Sequence, residues 1–192
     1  LGDNGLLDFT YLADTDRDTL DLIRSFEDGL GGTDVMSGNK GLDVAIGGTG
    51  GDEIYGDDLA ASAEGADLSD LLLGDNADIF LMAPGLASGG DLKLVLDVAV
   101  FLMRTTDEEH PEYGGEDTIS GNADGDMIAG GVDGDTLYGD ALSVVPGLDG
   151  DDVMLGDNAA FEWLSTGRLG EITGIDIAAK AAPPDSPSPT AG

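Results

Sequence analysis

The sequence predicts an all-β protein in which the coils of a parallel β-roll or β-helix solenoid alternate with β-hairpins. One observation behind this is a Gly- and Asp-rich block of nine residues that recurs along the chain, and another is a tetrapeptide, Leu-Gly-Asp-Asn, after which apolar and polar residues simply alternate. The third is composition. The chain carries a formal net charge of −33, yet 41% of its residues are hydrophobic, which is too many for a disordered polyanion.

The tetrapeptide divides the chain into three units. It occurs at residues 1–4, 73–76 and 155–158. The expected divisions are repeat unit 1 at 1–72, repeat unit 2 at 73–154 and a partial unit 3 at 155–192, which ends in a Pro-rich connector. The chain does not begin with Met, lacks a signal peptide and stops where a nonapeptide is due, so we expect a processed product or a piece of a longer protein. Unfinished coil at both ends would favour end-to-end association with copies of the chain or with further repeats.

The nine-residue block places an Asp at its sixth position and, in most copies, an apolar residue two places later. Six residues rich in Gly and Asp favour a tight turn, and the following three favour a very short strand. The sixth-position residues, in four blocks of each full unit, are Asp34, Asp43, Asp52, Asp70, Asp117, Asp126, Asp135 and Asp152. They are the candidate metal ligands of the chain.

If two blocks complete one coil, residues 18 apart stack at the ~4.8 Å spacing of neighbouring strands. This pairs Asp34 with Asp52 and Asp117 with Asp135, and it puts Asp70 on the same side as Asp34 and Asp52 if residues 56–64 form a degenerate coil turn. Two bare carboxylates ~5 Å apart repel by roughly 3 kcal/mol at an effective dielectric of ~20. A cation between them reverses the sign, and Ca²⁺ fits because it accepts several oxygen ligands in a flexible shell.

Neither a transition metal nor an ordinary acidic surface accounts for this pattern as well as Ca²⁺ does. Zinc or iron would require His or Cys, and the chain has one His and no Cys. An ordinary acidic surface has no reason to place Asp at every ninth residue after Gly.

A second group of acidic and amide residues follows the Gly that opens a turn. These residues could be side ligands of the metal or simple turn formers that hydrogen-bond their own backbone, and the sequence leaves both interpretations open. They are Asp57, Asp58, Asp75, Asn76, Asp140, Asp157 and Asn158.

Each unit is expected to carry a β-hairpin after its tetrapeptide. The first strands contain Leu7 with Phe9, Ile79 with Leu81, and Phe161 with Trp163, and the second strands are predicted at residues 19–26, 91–104 and 171–178. The middle unit's second strand is apolar on both faces from Val98 to Met103. One face should pack on the coil, and the other, with Phe101 and Met103, either on a neighbour or within this chain.

The block Gly-Gly-Thr-Gly-Gly-Asp-Glu-Ile-Tyr at residues 47–55 resembles the repeats-in-toxin (RTX) calcium-binding nonapeptide, a parallel β-helix repeat. In strict form the resemblance covers about half of the chain. Asp124 and Asp133 stand where the repeat has its fourth Gly, but Asp tolerates positive φ better than most residues. The arrangement is similar to that of very large secreted or surface repeat proteins. It implies several bound Ca²⁺ ions and a secreted, extracellular or cell-surface location.

Composition also excludes function classes. Seven Lys and Arg residues against 40 Asp and Glu leave no basic patch for nucleic acid or anionic lipid. The longest apolar stretch, residues 92–103, is interrupted by Lys93 and Asp97 and is shorter than the ~20 residues of a membrane-spanning helix.

We expect no enzyme in this chain, which has no HExxH, GxSxG, catalytic Cys or phosphate loop. Repeated carboxylate pairs could in principle serve a glycosidase, but an active site is singular. The leading hypothesis is a calcium-stabilised structural module of an extracellular filament, surface layer or adhesin. The alternative is the calcium-folded carboxyl-terminal RTX region of a type I secreted enzyme or toxin, and flanking sequence would discriminate between the two.

Overall fold

The structure is a computed structural model that describes residues 1–9, 20–26, 29–57, 69–82, 99–107, 110–140, 150–163 and 169–174. In these ranges the chain is almost entirely strand and turn, with a single 3₁₀ turn at Pro111–Tyr113. The described segments contain no helix with the length and apolar character needed to cross a bilayer. The all-β prediction is confirmed.

The described strands, in chain order, are β1 (Gly5–Asp8), β2 (Leu22–Ser25), β3 (Val35–Ser37), β4 (Val44–Ile46), β5 (Glu53–Tyr55), β6 (Leu71–Leu73), β7 (Ala77–Met82), β8 (Ala99–Thr105), β9 (Thr118–Asn122), β10 (Met127–Ala129), β11 (Thr136–Asp140), β12 (Val153–Leu155), β13 (Ala159–Trp163) and β14 (Leu169–Gly174). They form three sheets. The hairpin sheet has the order β1-β2-β7-β8-β13-β14, the middle sheet β12-β10-β6-β4, and the outer sheet β11-β9-β5-β3.

The hairpin sheet confirms the three predicted hairpins. β1 pairs with β2, β7 with β8, and β13 with β14, all antiparallel, and the second strand of each hairpin pairs with the first strand of the next. Asp78 on β7 lies between Arg24 and Arg104 on the flanking strands and accepts hydrogen bonds from both, at 2.8 Å from Arg24 Nη2 and 3.1 Å from Arg104 Nη2. This ion-paired row joins the hairpins of units 1 and 2.

The nonapeptide blocks supply the two parallel sheets, and the chain alternates between them. It runs from β3 in the outer sheet to β4 in the middle sheet and back to β5, and β9, β10 and β11 repeat this path. Val35 pairs with Glu53 and Thr118 with Thr136, which confirms the predicted offset of 18 residues in the outer sheet. The units share these sheets, because β5 of unit 1 pairs with β9 of unit 2 and β6 pairs with β10.

One predicted stacking is wrong. Val44 of β4 pairs with Leu71 of β6, so Asp70, which precedes β6, lies in the middle sheet beside Asp43 rather than beside Asp34 and Asp52. The physical reason is the path of the chain: between β5 and β6 it returns from the outer to the middle sheet. Most of the predicted degenerate coil turn at residues 56–64 lies outside the described residues.

The two inner strands of the middle sheet, β6 and β10, are buried on both faces, as their runs of apolar residues favour. Leu72 faces the outer sheet and packs with Ile54 and Ile119. Leu71 and Leu73 belong instead to a larger core that includes Ile79, Met103 and Phe161 of the hairpin sheet. The described molecule thus has three layers, with the middle sheet between the other two.

Of the two alternatives for the second apolar face of β8, Met103 follows the one in which the face is buried within this chain. Met103 pairs in register with Ile79 and Phe161, shares their inward face, and is fully buried in this chain. Residues 83–98, with the start of the two-sided apolar stretch, and the side chain of Phe101 lie outside the described part of the molecule.

Candidate functional site

The structure brings the eight sixth-position Asp residues into two columns. Each residue immediately precedes a strand of a parallel sheet, so the column follows the strand order. The outer column contains Asp34, Asp52, Asp117 and Asp135, and the middle column contains Asp43, Asp70, Asp126 and Asp152. The predicted pairs Asp34–Asp52 and Asp117–Asp135 are neighbours.

Within each column, the backbone N–H of one Asp donates to Oδ1 of the next. In the outer column, the N···Oδ1 distances are 2.7 Å from Asp34 to Asp52, 2.7 Å from Asp52 to Asp117 and 3.0 Å from Asp117 to Asp135. The middle column repeats the bond at 2.8, 2.8 and 2.9 Å. Oδ1 of each acceptor therefore binds the backbone N–H of an Asp that precedes the neighbouring strand.

Four of the turns before these Asp residues share one backbone conformation. In the four complete turns, the second and fourth residues have positive φ, between 61° and 116°. They are Asn39 with Gly41, Gly48 with Gly50, Asn122 with Asp124, and Gly131 with Asp133. Gly, Asn and Asp are the residues that adopt this region at least cost. The prediction that Asp124 and Asp133 replace a left-handed Gly is confirmed.

The second carboxylate oxygen is different. Oδ2 is buried and accepts no hydrogen bond from the described part of the chain in Asp52, Asp117, Asp126 and Asp135. Each of these atoms faces the Cα of a Gly that is also faced by a Gly carbonyl oxygen. We call each combination an oxygen pair. The four oxygen pairs are Asp52 with Gly74 O at Gly47, Asp117 with Gly130 O at Gly74, Asp126 with Gly139 O at Gly121, and Asp135 with Gly156 O at Gly130.

The Gly that faces each oxygen pair has no room for a side chain. A Cβ at Gly74 would collide with both Asp117 Oδ2 and the carbonyl oxygen of Gly130, and the latter is backbone that cannot move aside cheaply. The first Gly of the nonapeptide is therefore required by close approach rather than by its φ angle.

Burial makes these carboxylates expensive to ionise. Desolvation raises the pKa of Asp126 to about 9 and that of Asp117 to about 8, from an ordinary 3.8, and neighbouring carboxylates add to the shift. Desolvation also raises the pKa of Asp52 and of Asp135 to about 6. In the folded protein, these four carboxyl groups therefore need either bound protons or a nearby positive charge. The two described arginines do not supply that charge, because they bond to Asp78.

The residues that follow a turn-opening Gly have another role. After Gly2, Gly56 and Gly74, the next Asp accepts the amide of the third residue of an adjacent turn. We call these residues exit Asp residues. Asp3 Oδ2 accepts Thr49 N–H at 2.7 Å, Asp57 Oδ2 accepts Ala123 N–H at 3.0 Å, and Asp75 Oδ2 accepts the N–H of Val132.

Asp75 is the most completely enclosed exit Asp. Its Oδ1 accepts the N–H of Gly115 at 3.0 Å, so both of its oxygens bind amides of turns remote in sequence. It is fully buried, and desolvation raises its pKa to about 9. Asp57 and Asp75 thus accept amides of neighbouring rows, a contact that neither of the two interpretations left open by the sequence includes.

Asn76 pairs with a residue that the sequence pattern does not indicate. Its backbone N–H donates to Asp107 Oδ2 at 2.8 Å and its Nδ2 to Asp107 Oδ1 at 3.0 Å, and both residues are fully buried. Asp107 lies outside the nonapeptide period. The only signal is its place two residues after Thr105, which is paired with Ala77 at the base of the hairpin.

The remaining predicted residues are not gathered into one site. Asp157 is exposed, Asn158 is buried, and Asp140 is half-buried at the end of β11. Asp58 lies outside the residues that the structure describes.

The carboxylate and carbonyl oxygens of these pairs suit a hard cation better than a transition metal. No group of three or more His, Cys, Asp or Glu residues in the described ranges could hold a metal ion by itself. A cation would therefore have to use main-chain carbonyls as well, and each oxygen pair offers one carboxylate and one carbonyl. Ca²⁺ takes this combination of ligands, whereas zinc prefers nitrogen and sulfur. The buried Oδ2 atoms and the covered Gly Cα positions are consistent with Ca²⁺.

No protein-family model, curated protein or solved structure matches the chain.

Proposed function

We propose that this chain is a calcium-binding structural repeat module, in which the outer and middle sheets form the two walls of a β-roll of the RTX type. The proposal is carried by the oxygen pair, which recurs at Asp52, Asp117, Asp126 and Asp135 with a buried Oδ2 that accepts no described hydrogen bond. The alternation of the chain between two parallel sheets supports the roll.

Calcium would be held by the Oδ2 atoms of these four residues together with the turn carbonyls that face them. Its contribution would be charge compensation, because it replaces the protons that the raised pKa values otherwise favour. The chain's own residues prepare the site. The amide of the preceding Asp fixes Oδ1, and the absence of a Cβ at the facing Gly leaves room for the carboxylate.

A structural role outside the cell fits this chemistry. Calcium ions that bind only the folded state add RT ln(1 + [L]/Kd) of stability per site, so a module with several sites folds where calcium is abundant. Weak calcium sites with dissociation constants of about 10⁻⁴–10⁻³ M are typical of extracellular modules. We therefore assign the chain to a secreted or cell-surface repeat protein such as a filament, surface layer or adhesin.

The first experiment is far-ultraviolet circular dichroism in chelator and then in millimolar calcium. We expect an expanded chain in chelator and a β-rich spectrum with calcium, and magnesium at equal concentration is the control for ionic strength. An unchanged β-rich spectrum in chelator would contradict the proposal.

A matched pair of variants tests the site itself. Asp117→Asn keeps an acceptor for Asp52 N–H but removes the buried charge, whereas Glu116→Gln removes one charge from an exposed neighbour. Calorimetric titration should show weaker or fewer calcium sites in Asp117→Asn and unchanged binding in Glu116→Gln. Equal effects would mean that calcium responds to net charge alone.

A further inference from the structure

At one end of the stack, apolar side chains that are buried in inner rows become exposed. We call the edges of β11, β12 and β14 that pair with no other described strand the β12 end. Met154 of β12 is 44% exposed, although Ile128, its register partner on β10, is fully buried. Ile172 of β14 is 43% exposed, although its partner Phe161 is fully buried. Both cores therefore continue to this edge.

The polar pattern stops at the same edge. The Cα atoms of Gly74 and Gly130 are covered by an Asp Oδ2 and a Gly carbonyl, whereas a Cβ on Gly156 would meet no atom within 4 Å. Asp157 is exposed, although Asp75 at the same place in the preceding unit is fully buried. In the outer column, no described carboxylate lies beyond Asp135 to accept its N–H.

The opposite end of the middle sheet is covered by the chain itself. Gly2 N–H donates to Ile46 O at 2.9 Å, and Asp3 N–H donates to Gly47 O at 3.2 Å. These residues belong to the same tetrapeptide as residues 155–158. An intact second copy would bring this tetrapeptide to a position that residues 155–158 already fill, so the β12 end lacks nonapeptide rows rather than another tetrapeptide.

We propose that the β12 end binds two consecutive nonapeptide blocks of this chain's own sequence type. One block adds a strand to β11, where its sixth-position Asp accepts the N–H of Asp135. The next block adds a strand to β12, where its apolar residues cover Met154. This assignment rests on the proposed calcium-binding coil, because the first incoming Asp extends the outer column beyond Asp135, and on the repetition of the same strand pairing at every inner row.

The probe is a fluorescent peptide of residues 29–46, which comprise two blocks without a tetrapeptide. Anisotropy should show saturable binding to the full chain in calcium. The same peptide with Asp34→Ala loses the acceptor for Asp135 N–H and should bind at least ~10-fold more weakly. In the chain, Met154→Asp should abolish binding, whereas Val35→Asp, a matched change of an exposed apolar residue on β3, should leave it unchanged.

The outcomes separate this proposal from the proposed function, because the circular dichroism of each chain variant is recorded in calcium without peptide. Absent binding by a chain that still responds to calcium would overturn the docking proposal alone, and so would binding retained in Met154→Asp. Sedimentation of the chain alone as an oligomer that Met154→Asp disrupts would assign the surface to a second intact copy and would also overturn it.

Discussion

Asp117 and Asp75 lie in neighbouring rows of the stack and use the same side chain in opposite ways. Asp117 accepts one amide, from Asp52, and directs its other oxygen to a Gly Cα and a carbonyl oxygen. Asp75 accepts two amides, from Gly115 and Val132, so both of its oxygens already have donors. Both residues are buried, and both have strongly raised pKa values.

The difference shows that burial of a carboxylate does not by itself indicate a metal ligand. Under the proposed function, Oδ2 of Asp117 binds a cation, whereas both oxygens of the exit residue Asp75 bind amides of adjacent turns. Removing charge from the first kind should therefore matter differently with and without calcium. Removing charge from the second kind should matter in both conditions.

The largest effect is expected for Asp75→Asn. One of the two amides that Asp75 accepts would face the new NH₂ group, so a buried donor would lose its acceptor at a cost of about 1–3 kcal/mol. Urea unfolding should show this loss both in chelator and in calcium. The control is Asp157→Asn, the exposed residue at the same place in unit 3, which should be neutral. A loss seen only in calcium would make Asp75 a ligand instead.

A change of sign is expected for Asp126→Asn. Without calcium, the neutral side chain avoids the desolvation and repulsion that raise the pKa of Asp126 to about 9, so the variant should be more stable than the parent at pH 8. In calcium it should be less stable, because a charged ligand is missing. Asp151→Asn, at an exposed position, is the control. The same sign in both conditions would contradict the role assigned to Oδ2.

The stability of the metal-free protein should depend on pH. The pKa of Asp117 is raised to about 8 and that of Asp52 to about 6, so the folded state binds protons more tightly than the unfolded state, whose Asp pKa is near 3.8. The stability that these two groups contribute is therefore highest at acidic pH and is lost as pH rises from about 4 to about 8. Denaturant midpoints in chelator should be higher at pH 5 than at pH 8, and calcium should reduce the difference. Midpoints that rise with pH would contradict this assignment.

The smallest effect is expected at the exposed Asp124, whose assigned role is to adopt a positive φ in its turn. Its φ is 61°, so Asp124→Ala should cost about 1 kcal/mol and Asp124→Gly should cost less. Thermal unfolding of the two variants in calcium would measure the difference. Equal stability would mean that this turn relaxes when its sequence changes.

The period of the sequence predicted contacts that lie within one continuous run of blocks. The pairs Asp34–Asp52 and Asp117–Asp135 follow from it because nothing interrupts the chain between their members. The pair Asp52–Asp117 does not, because a hairpin lies between them and no local pattern states which row the chain re-enters. The hairpins were also predictable from alternation.

The unpredicted features are those that depend on the third layer. Met103 faces inward because the hairpin sheet packs on the middle sheet, and the sequence of a two-sided apolar strand does not show which side is covered. Asp75 and Asp107 act through partners 31 to 57 residues away. Such partners are fixed by the order of the rows rather than by any local spacing.

The unequal spacing of paired strands has a consequence for folding. β3 and β5 meet across 18 residues, whereas β5 and β9 meet across 65, from Glu53 to Thr118. Closing the longer loop costs about 1 kcal/mol more entropy, from 1.5RT times the logarithm of the length ratio. The rows within each unit should therefore form first, and the junction between units should be the late step of folding. Pairing of β7 with β8 shortens the loop that must close between β5 and β9. The hydrogen bond from Gly115 N–H to Asp75 then stabilises the closed junction.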